Sequence, residues 1–234
     1  MVKQTNWLES VSDMMSGLMM IFLFISVTYM LEATNEKQKA IGEKEKMQQI
    51  ALQVEKTKVA LYEELRKEFK DDLPKWQAEI DENNTVRFNE PRVLFDPGKA
   101  TLKSGFQEIL TDFFPRYVRI VKDPRFFSDI EEIRIEGHTS TDWEGVKDYQ
   151  ERYLNNARLS QERAFEVLRF CFTLQAIMTE REWLPRVLRA NGVSFGKFLL
   201  KTNGDEDSDR SRRVEFRILS KTEEKIYKIL EVSK

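Results

Sequence analysis

The sequence has little of what redox or metal chemistry needs. It contains one cysteine, Cys171, and one histidine, His138. A single cysteine cannot close an intramolecular disulfide, and its neighbours Phe170 and Phe172 indicate a buried hydrophobic position. No cysteine stands near His138 at the spacing of a metal ligand, so a structural role is expected for the histidine and no metal site is predicted.

The sequence also lacks an excess of positive or negative charge. The chain has 38 basic and 40 acidic residues and a formal net charge of −2, which provides no field for gathering nucleic acid or an acidic substrate. The sequence further lacks a nucleophile paired with a base, a phosphate-binding loop and a Walker-type glycine pattern. We therefore expect neither a nucleic-acid-binding protein nor an enzyme, and no cofactor.

Charge is absent altogether from one segment, although the mean hydropathy of the chain is −0.54. The 18 residues from Met14 to Leu31 are uncharged, and the run is apolar on all sides. This length is typical of a membrane span and exceeds the core of a signal peptide, whereas a buried soluble helix would be the alternative. Trp7 and Tyr29 bracket the run as interfacial anchors would. We predict a short N-terminus over residues 1–13 and a transmembrane helix over residues 14–31.

The distribution of lysines gives an orientation that conflicts with the rest of the sequence. Only Lys3 precedes the span, whereas four lysines follow it closely, at positions 37, 39, 44 and 46. Because positive residues favour the cytoplasmic side, this count places the C-terminal part inside the cell. The identity of the C-terminal domain, given below, requires the opposite orientation.

Proline is absent before Pro74, and the segment after the span is rich in Glu, Lys, Gln and Ala. We predict a helical linker over residues 32–80 that continues out of the membrane. Met47, Val54 and Leu61 recur every seven residues, with further apolar residues (Ile50, Ala51 and Leu65) beside them. A short coiled-coil pairing and a single solvated helix with one apolar stripe both fit this pattern.

Residues 81–221 have the pattern of an α+β domain, followed by a C-terminal tail over residues 222–234 that resembles a short exposed helix. Apolar residues at helical spacing predict a helix containing Phe106, Ile109, Leu110, Phe113 and Phe114, and a second helix begins near Asn155. Runs typical of strands occupy residues 86–88, 92–95, 130–136, 197–200 and 214–219. In the last of these, Val214, Phe216 and Ile218 are expected to point inward and Glu215 and Arg217 outward.

Asp13 is the first residue with a candidate function. It stands immediately before the uncharged run, and a carboxylate at membrane depth is costly unless it faces water, a partner or a cation. Burial raises the pKa of a carboxyl group, which makes loading and release of a proton feasible. The alternative is that Asp13 caps the N-terminus of the helix at the level of the lipid headgroups.

A second group of candidate residues lies in the domain, where a strand ends at Gly137, His138 and Thr139. Asn156 and Arg163 are seven residues apart on a helix, hence on one face, and a guanidinium with neighbouring amides suits a carboxylate ligand. An ordinary surface helix is the alternative. The acidic run Asp205, Glu206, Asp207 and Asp209 lacks the closing Glu of an EF-hand, so a solvated loop is expected.

Three motifs then occur in order: IEGHTS, NNARLSQERA and SRRVEFRI. Together they resemble an OmpA-like peptidoglycan-binding domain of βαβαββ type. The resemblance implies that Arg163 holds the diaminopimelate of a muropeptide. Ser140 stands where the family has an Asp, and Asp142 is the candidate replacement. The remaining predicted peptidoglycan-binding residues are Thr139, Tyr153, Asn156, Leu159 and Arg212, with Arg213 also retained from the third motif.

An OmpA-like domain behind one span with an Asp at its start also resembles the B subunits of flagellar stators. The long linker and Ser140 resemble more closely the B subunit of the Zorya anti-phage defence system. That resemblance implies a homodimer inside a ring, expected to be pentameric, of a multi-span A-type subunit in the inner membrane. Protons or sodium ions would pass Asp13, peptidoglycan would anchor a periplasmic domain, the N-terminus would be cytoplasmic, and cytoplasmic effectors would respond. A flagellar stator, a passive tether to the cell wall and an energy transducer are the alternatives.

Overall fold

A computed structural model describes residues 3–89 and 94–221 of the 234-residue chain. The chain divides into two compact units, of which one contains the N-terminal residues up to Ala51 and the other extends from Leu52 to Glu223. Helix α1 (Lys3–Phe69) contributes to both units. The fold class predicted from the sequence, α+β with a long N-terminal helix, is confirmed.

Helix α1 is continuous over 67 residues because its sequence offers nothing to stop it. It contains no proline, only two glycines, and many residues of high helix propensity. After Phe69 the chain turns, with the backbone N–H groups of Asp72 and Leu73 donating to the Phe69 carbonyl at 3.0 and 2.9 Å, and Pro74 follows. Proline cannot continue a helix, so the turn and Pro74 together end α1.

The side chains of the apolar run of α1 are exposed on the surface of the helix. From Met14 to Leu31 the large apolar side chains are between 46% and 75% exposed. By length and composition this is the one helix among the described residues that is long and apolar enough to cross a membrane. An apolar surface on all sides of a helix requires an apolar surrounding, either lipid or the helices of a partner.

The second unit is built on a five-stranded mixed sheet of order β1-β2-β5-β3-β4. Its strands are β1 (Ala78–Ile80), β2 (Thr85–Phe88), β3 (Ile130–His138), β4 (Leu188–Ser194) and β5 (Val214–Ser220). Strands β1 and β2 form a hairpin, β5 pairs antiparallel with both β2 and β3, and β3 pairs parallel with β4. A parallel pair needs a crossover, and here the connection runs through the helix Tyr149–Thr173.

The helices of this unit are α2 (Ser104–Val121), α3 (Pro124–Phe127), α4 (Tyr149–Thr173), α5 (Leu184–Val187) and α6 (Ser208–Ser211), with a 3₁₀ helix at Gln175–Glu180. Helix α4 begins six residues before the predicted position near Asn155. Asp148 caps it by accepting from the backbone N–H of Glu151 at 2.8 Å.

Aromatic side chains form the centre of the domain core. Phe113 of α2 lies 5.1 Å from Phe216 of β5, 5.2 Å from Phe88 of β2 and 5.1 Å from Phe69 of α1, measured between ring centroids. These distances are in the range preferred by packed aromatic pairs. The predicted inward positions Val214 and Phe216 are therefore correct, and so is the predicted apolar face of α2.

The end of α1 belongs to this core. Leu61, Leu65 and Phe69 are at most 3% exposed. Arg116 of α2 packs over the Phe69 ring and donates to Glu68 Oε1 at 2.8 Å, to the Glu68 carbonyl at 2.8 Å and to Asp72 at 2.9 Å. Leu61 and Leu65 are thus unavailable for the coiled-coil seam considered above, which leaves only the apolar positions nearer the span.

Two predicted strands differ from the structure. Residues 197–200 are not a strand, since only Leu200 forms an isolated bridge, with Glu206, and the strand that pairs with β3 is β4 instead. Of the strand predicted over residues 92–95, Phe95 forms an isolated bridge with Leu102, and 92–93 lie outside the described residues. The predicted C-terminal tail, residues 222–234, also lies outside them.

Candidate functional site

Two glycines allow helix α4 to lie against the ends of β3 and β4. A Cβ atom on Gly137 would come within 2.3 Å of the Ser160 carbonyl oxygen, and one on Gly192 within 2.4 Å of the Gln161 backbone nitrogen. Both distances are far below any real contact, so only glycine permits this approach. The close packing brings the inner face of α4 next to the loop that follows β3.

A cavity of about 740 Å³ opens at this junction. Its size is within the range of small-molecule sites. Seven of the eight predicted peptidoglycan-binding residues line it: Thr139, Ser140, Asp142, Asn156, Leu159, Arg163 and Arg212. Residues that are distant in the sequence are therefore brought together, as the three motifs predicted.

Arg163 is the most unusual side chain of the cavity. It is only 8% exposed, and its guanidinium donates to the backbone carbonyls of Lys99 at 2.9 Å and Asp96 at 3.3 Å. It also lies over the Phe95 ring, 4.9 Å from the centroid. Within residues 3–89 and 94–221 no carboxylate forms an ion pair with it. Burial, and to a lesser extent the charge of Arg212, lowers the pKa of Arg163 to about 10, so the group remains charged at neutral pH.

A second arginine and a carboxylate face the same cavity. Arg212 lies 3.4 Å from the Ser140 hydroxyl and is paired with Asp209. Asp142 is exposed; its carboxylate accepts from the Ser208 hydroxyl at 3.1 Å, and its backbone carbonyl accepts from the Asn156 amide at 3.3 Å. Asp142 therefore occupies the cavity wall close to Ser140, where the sequence suggested that it could replace the missing family Asp.

The other predicted residues divide into two kinds. Asn156, Leu159 and Thr139 are buried in the cavity wall, and the Thr139 hydroxyl has no hydrogen-bond partner among the described residues. Tyr153 is not part of the wall. It lies on an exposed face of α4, where its ring packs against Phe195 at 5.3 Å, so its predicted contact with the ligand is not supported by the geometry.

Sequence reasoning missed several residues of the cavity, among them Phe95, Lys103, Trp143 and Asp209. Phe95 and Lys103 flank the turn at Asp96, Pro97 and Gly98, which the sequence marked clearly as a turn but not as part of a site. Arg163 donates to the backbone carbonyl of Asp96, and such a contact cannot be predicted from the type of residue at that position. Trp143 was the available signal, because an aromatic residue in a polar loop after a strand is typical of binding surfaces.

A cluster of buried charges adjoins the cavity, formed by Glu136, His138, Arg213 and Glu215, each at most 4% exposed, and two of them, His138 and Arg213, also line the cavity. Arg213 and Arg87 both donate to Glu215 Oε1 at 2.6 Å. His138 Nε2 lies 3.4 Å from Glu136 and 3.6 Å from Glu215. Glu215 points away from the core side of the sheet, as predicted, but it is buried there and not exposed to solvent. Its face of the sheet is covered by the side chains that neutralise it.

The four residues form a balanced network. Burial alone would raise the pKa of Glu136 and Glu215, but it is outweighed by His138 in both cases, by Lys197 near Glu136 and by Arg213 and Arg87 near Glu215, so both pKa values are lowered. Glu136, His138 and Glu215 are also side chains of the kinds that bind cations, brought close together. Because two guanidiniums already occupy Glu215, the arrangement fits a structural ion network better than a metal centre.

Asp13 lies in the other unit, within the interior of α1 and ten residues after the first described helical residue. It therefore cannot be the N-cap of this helix, which removes the capping alternative. Asp13 is exposed on the helix surface just before the apolar run. In that position it is available to an ion or to a partner subunit.

No family model matches the chain. The Zorya protein ZorB of Escherichia coli is 41% identical over 227 residues, which cover 97% of this chain and 92% of the relative. A crystal structure of a MotB-like protein from Desulfovibrio vulgaris is 25% identical with a TM-score of 0.52 and covers 73% of this chain and 99% of that one. The cell wall anchor of the T6SS from Pseudomonas aeruginosa is 21% identical with a TM-score of 0.47, covering 67% of this chain and 97% of that one.

Proposed function

Since the chain belongs to the ZorB family of Zorya proteins, we propose that it is the stator-like B subunit of an ion-driven motor in the inner membrane that acts in anti-phage defence. The observation that carries this proposal is the pairing of two features in one chain. An exposed carboxylate, Asp13, stands at the start of the apolar run of α1, and a buried Arg163, without a carboxylate partner among the described residues, stands in a cavity of the C-terminal domain.

The cavity is proposed to bind peptidoglycan through the diaminopimelate of its stem peptide. Arg163 would take the carboxylate of this residue, because the guanidinium is fixed by Lys99, Asp96 and Phe95 and has no anion of its own among the described residues. A ligand carboxylate would supply the missing charge, and the contact would be strong because it is shielded from water.

Asp142 is proposed to take the amino group of the same ligand, in place of the Asp that Ser140 replaces. Its carboxylate is exposed to the cavity and is engaged by only one neutral donor, Ser208, among the described residues. Arg212, Asn156, Thr139 and Leu159 would complete the wall, with the Thr139 hydroxyl as a further hydrogen-bonding group. An amino acid that carries both charges suits a cavity with a guanidinium on one side and a carboxylate on the other.

In the membrane, two copies of the chain are proposed to lie within a ring of a multi-span A-type subunit, expected to have five members. The apolar side chains of residues 14–31, exposed on all sides, would face that ring and lipid. Protons or sodium ions would load onto Asp13 and leave it, since a carboxylate can change its charge state in such a position. The N-terminus would be cytoplasmic and the wall-binding domain periplasmic, with cytoplasmic effectors responding to motion of the ring.

The test is survival of cells that express the whole operon when they are challenged with a panel of phages. Asp13→Asn keeps the shape of the side chain but cannot change charge, so protection should be lost while the protein still assembles and binds peptidoglycan. Glu32→Gln, at the other end of the apolar run, is the matched control and should protect like the native chain.

Arg163→Ala should also abolish protection, in this case through loss of wall binding. Arg158→Ala is its control, because Arg158 lies on the same helix, is exposed and makes only a 3.9 Å contact with Glu162. Loss of protection with Arg163→Ala but not with Asp13→Asn would show a passive tether. If both variants protect fully and only swimming changes, the chain is a flagellar stator subunit and the proposal is wrong.

A further inference from the structure

The acidic run after β4 contains a residue that does not behave as part of a solvated loop. Glu206 is partly buried, and both of its carboxylate oxygens bind Thr141 in the loop after β3. The Thr141 backbone N–H donates to Oε1 at 3.0 Å, and the Thr141 hydroxyl donates to Oε2. Hydrogen bonds to an ionised acceptor are about twice as strong as neutral ones. This two-point contact is therefore a strong link between the acidic run and the loop after β3.

The loop that Glu206 holds carries one wall of the cavity. Thr141 stands between Ser140 and Asp142, both of which line the cavity, and Trp143 follows. Asp142 is exposed, and among the described residues its carboxylate accepts only from Ser208, while Asn156 donates to its backbone carbonyl and Arg212 to the neighbouring Ser140 hydroxyl. Anchoring Thr141 therefore sets the direction in which the Asp142 carboxylate points.

Glu206 is itself held in place. The Lys201 backbone N–H donates to the Asp205 carbonyl at 2.8 Å, the Asp207 N–H donates to the Leu199 carbonyl at 2.8 Å, and Leu200 bridges to Glu206. The turn is closed by Gly204 at φ 89°, a conformation that favours glycine. This small hairpin gives Glu206 a defined position relative to the rest of the domain.

The same segment continues along the cavity wall, in contact with the loop after β3. Asp207 caps α6, and Asp209 and Arg212 follow on the cavity side, where Arg212 reaches Ser140. One carboxylate thus ties together two loops that both contribute charged groups to the cavity. We propose that Glu206 is a positioning residue of this cavity, which holds Asp142 and Arg212 at the separation that the peptidoglycan ligand requires. The inference rests on the proposed function.

The experiment uses the full chain in detergent and a disaccharide-tripeptide muropeptide that ends in diaminopimelate. Glu206→Gln should weaken binding about tenfold or more, measured by calorimetry, because it removes the charge from both hydrogen bonds. Thr141→Val should weaken binding to a similar extent, whereas Thr141→Ser keeps the hydroxyl and should bind with native affinity. The double variant Glu206→Gln with Thr141→Val should bind no more weakly than either single variant. Asp205→Asn is the matched control, since its side chain contacts only Asn203 among the described residues.

Hydrogen exchange of the ligand-free chain gives a second readout that does not depend on binding. Amides of residues 139–146 should exchange faster in Glu206→Gln than in the native chain or in Asp205→Asn, while those of β5 stay unchanged. Native affinity in Glu206→Gln, or unchanged exchange in this loop, would overturn the role of Glu206. If the native chain itself fails to bind the muropeptide, the proposed ligand is wrong, and the exchange result still decides whether Glu206 orders the loop.

Discussion

Arg163 and Arg213 are buried to a similar degree in the same domain, at 8% and 4% exposure, and each donates to two backbone carbonyls, yet only Arg213 has a carboxylate partner among the described residues. Arg213 is paired with Glu215, and the pair is part of a network in which each charge meets an opposite one. Arg163 is held by two carbonyls and an aromatic ring and meets no carboxylate among the described residues. Under the proposed function, the difference separates a charge that stabilises the fold from one that would bind a ligand.

This comparison has a physical basis in desolvation. Removing a charge from water is costly, and a partner inside the protein offsets the cost for Arg213. The cost for Arg163 is offset only by two carbonyls and an aromatic ring, because no carboxylate among the described residues pairs with it. A ligand carboxylate would complete the compensation, so binding and folding should respond differently to the loss of each arginine.

The largest effect is expected from Arg213→Ala. Breaking a buried pair from one side leaves Glu215 with less compensation, and we expect the free energy of unfolding to fall by about 3–5 kcal/mol. Chemical denaturation of the full chain in detergent, followed by tryptophan fluorescence, measures this change. Arg210→Ala, an exposed neighbour, should change stability by less than about 0.5 kcal/mol. A loss below about 1 kcal/mol for Arg213→Ala would contradict the role of the network.

Gly137→Ala tests whether the stability of the fold and the shape of the cavity both depend on the close contact between β3 and α4. The added Cβ would meet the Ser160 carbonyl at 2.3 Å, so β3 and α4 must move apart, at a cost of about 3 kcal/mol. Muropeptide affinity should fall at the same time, because Arg163 lies on α4 and Thr139 lies just after β3. Gly42→Ala has open space around its Cβ and should leave stability unchanged or slightly higher. Native stability in Gly137→Ala would show that the helix can shift freely.

The third prediction concerns acid. The pKa values of Glu136 and Glu215 are lowered in the folded state from an ordinary value of 4.5, so their contribution to stability is complete above about pH 4.5. It is lost as the pH falls from there through the folded-state pKa values. Unfolding free energies measured from pH 6 downward should therefore decline below pH 4.5, and the decline should be shallower in Glu136→Gln. An equal slope in that variant would remove Glu136 from the network.

The smallest effect on stability is expected from Arg163→Ala. The variant loses two hydrogen bonds to carbonyls but also removes a buried charge that is only partly compensated, so the unfolding free energy should change by no more than about 1 kcal/mol. Muropeptide binding should nevertheless fall at least a hundredfold, since a charge-assisted contact is lost. A large loss of stability together with intact binding would reverse the assignment of the two arginines.

Much of this arrangement could be predicted from the sequence because it depends on side chains at regular spacing. Asn156 and Arg163 share a face of α4, and Val214 and Phe216 point into the core as their alternation predicted. The same alternation places Glu215 on the outer face correctly but does not predict that it is buried there. The alternation rule treats the outer face of a strand as solvent, and it cannot foresee that Arg213, Arg87 and His138 cover that face.

Other elements left no clear pattern. The sequence of β4, LRANGVS, contains Asn and Gly and few residues of high strand propensity, so its pattern does not predict a strand. Gly192 is there because Gln161 lies against it, a tertiary reason that local propensity does not contain. The role of Glu206 was likewise hidden, because an acid in a polar loop gives no sign of the threonine 65 residues away that it binds.

The burial of Leu61, Leu65 and Phe69 in the domain core has a consequence for how this protein can be divided. A fragment that begins at residue 81 would lack three core side chains and the Glu68 and Asp72 partners of Arg116, and it should be insoluble or only partly folded. A soluble fragment made to test peptidoglycan binding therefore has to include the final turns of α1. Because these residues are packed in the core, the last turns of α1 cannot rotate relative to the domain. Any flexible hinge would have to lie in the part of α1 that precedes them.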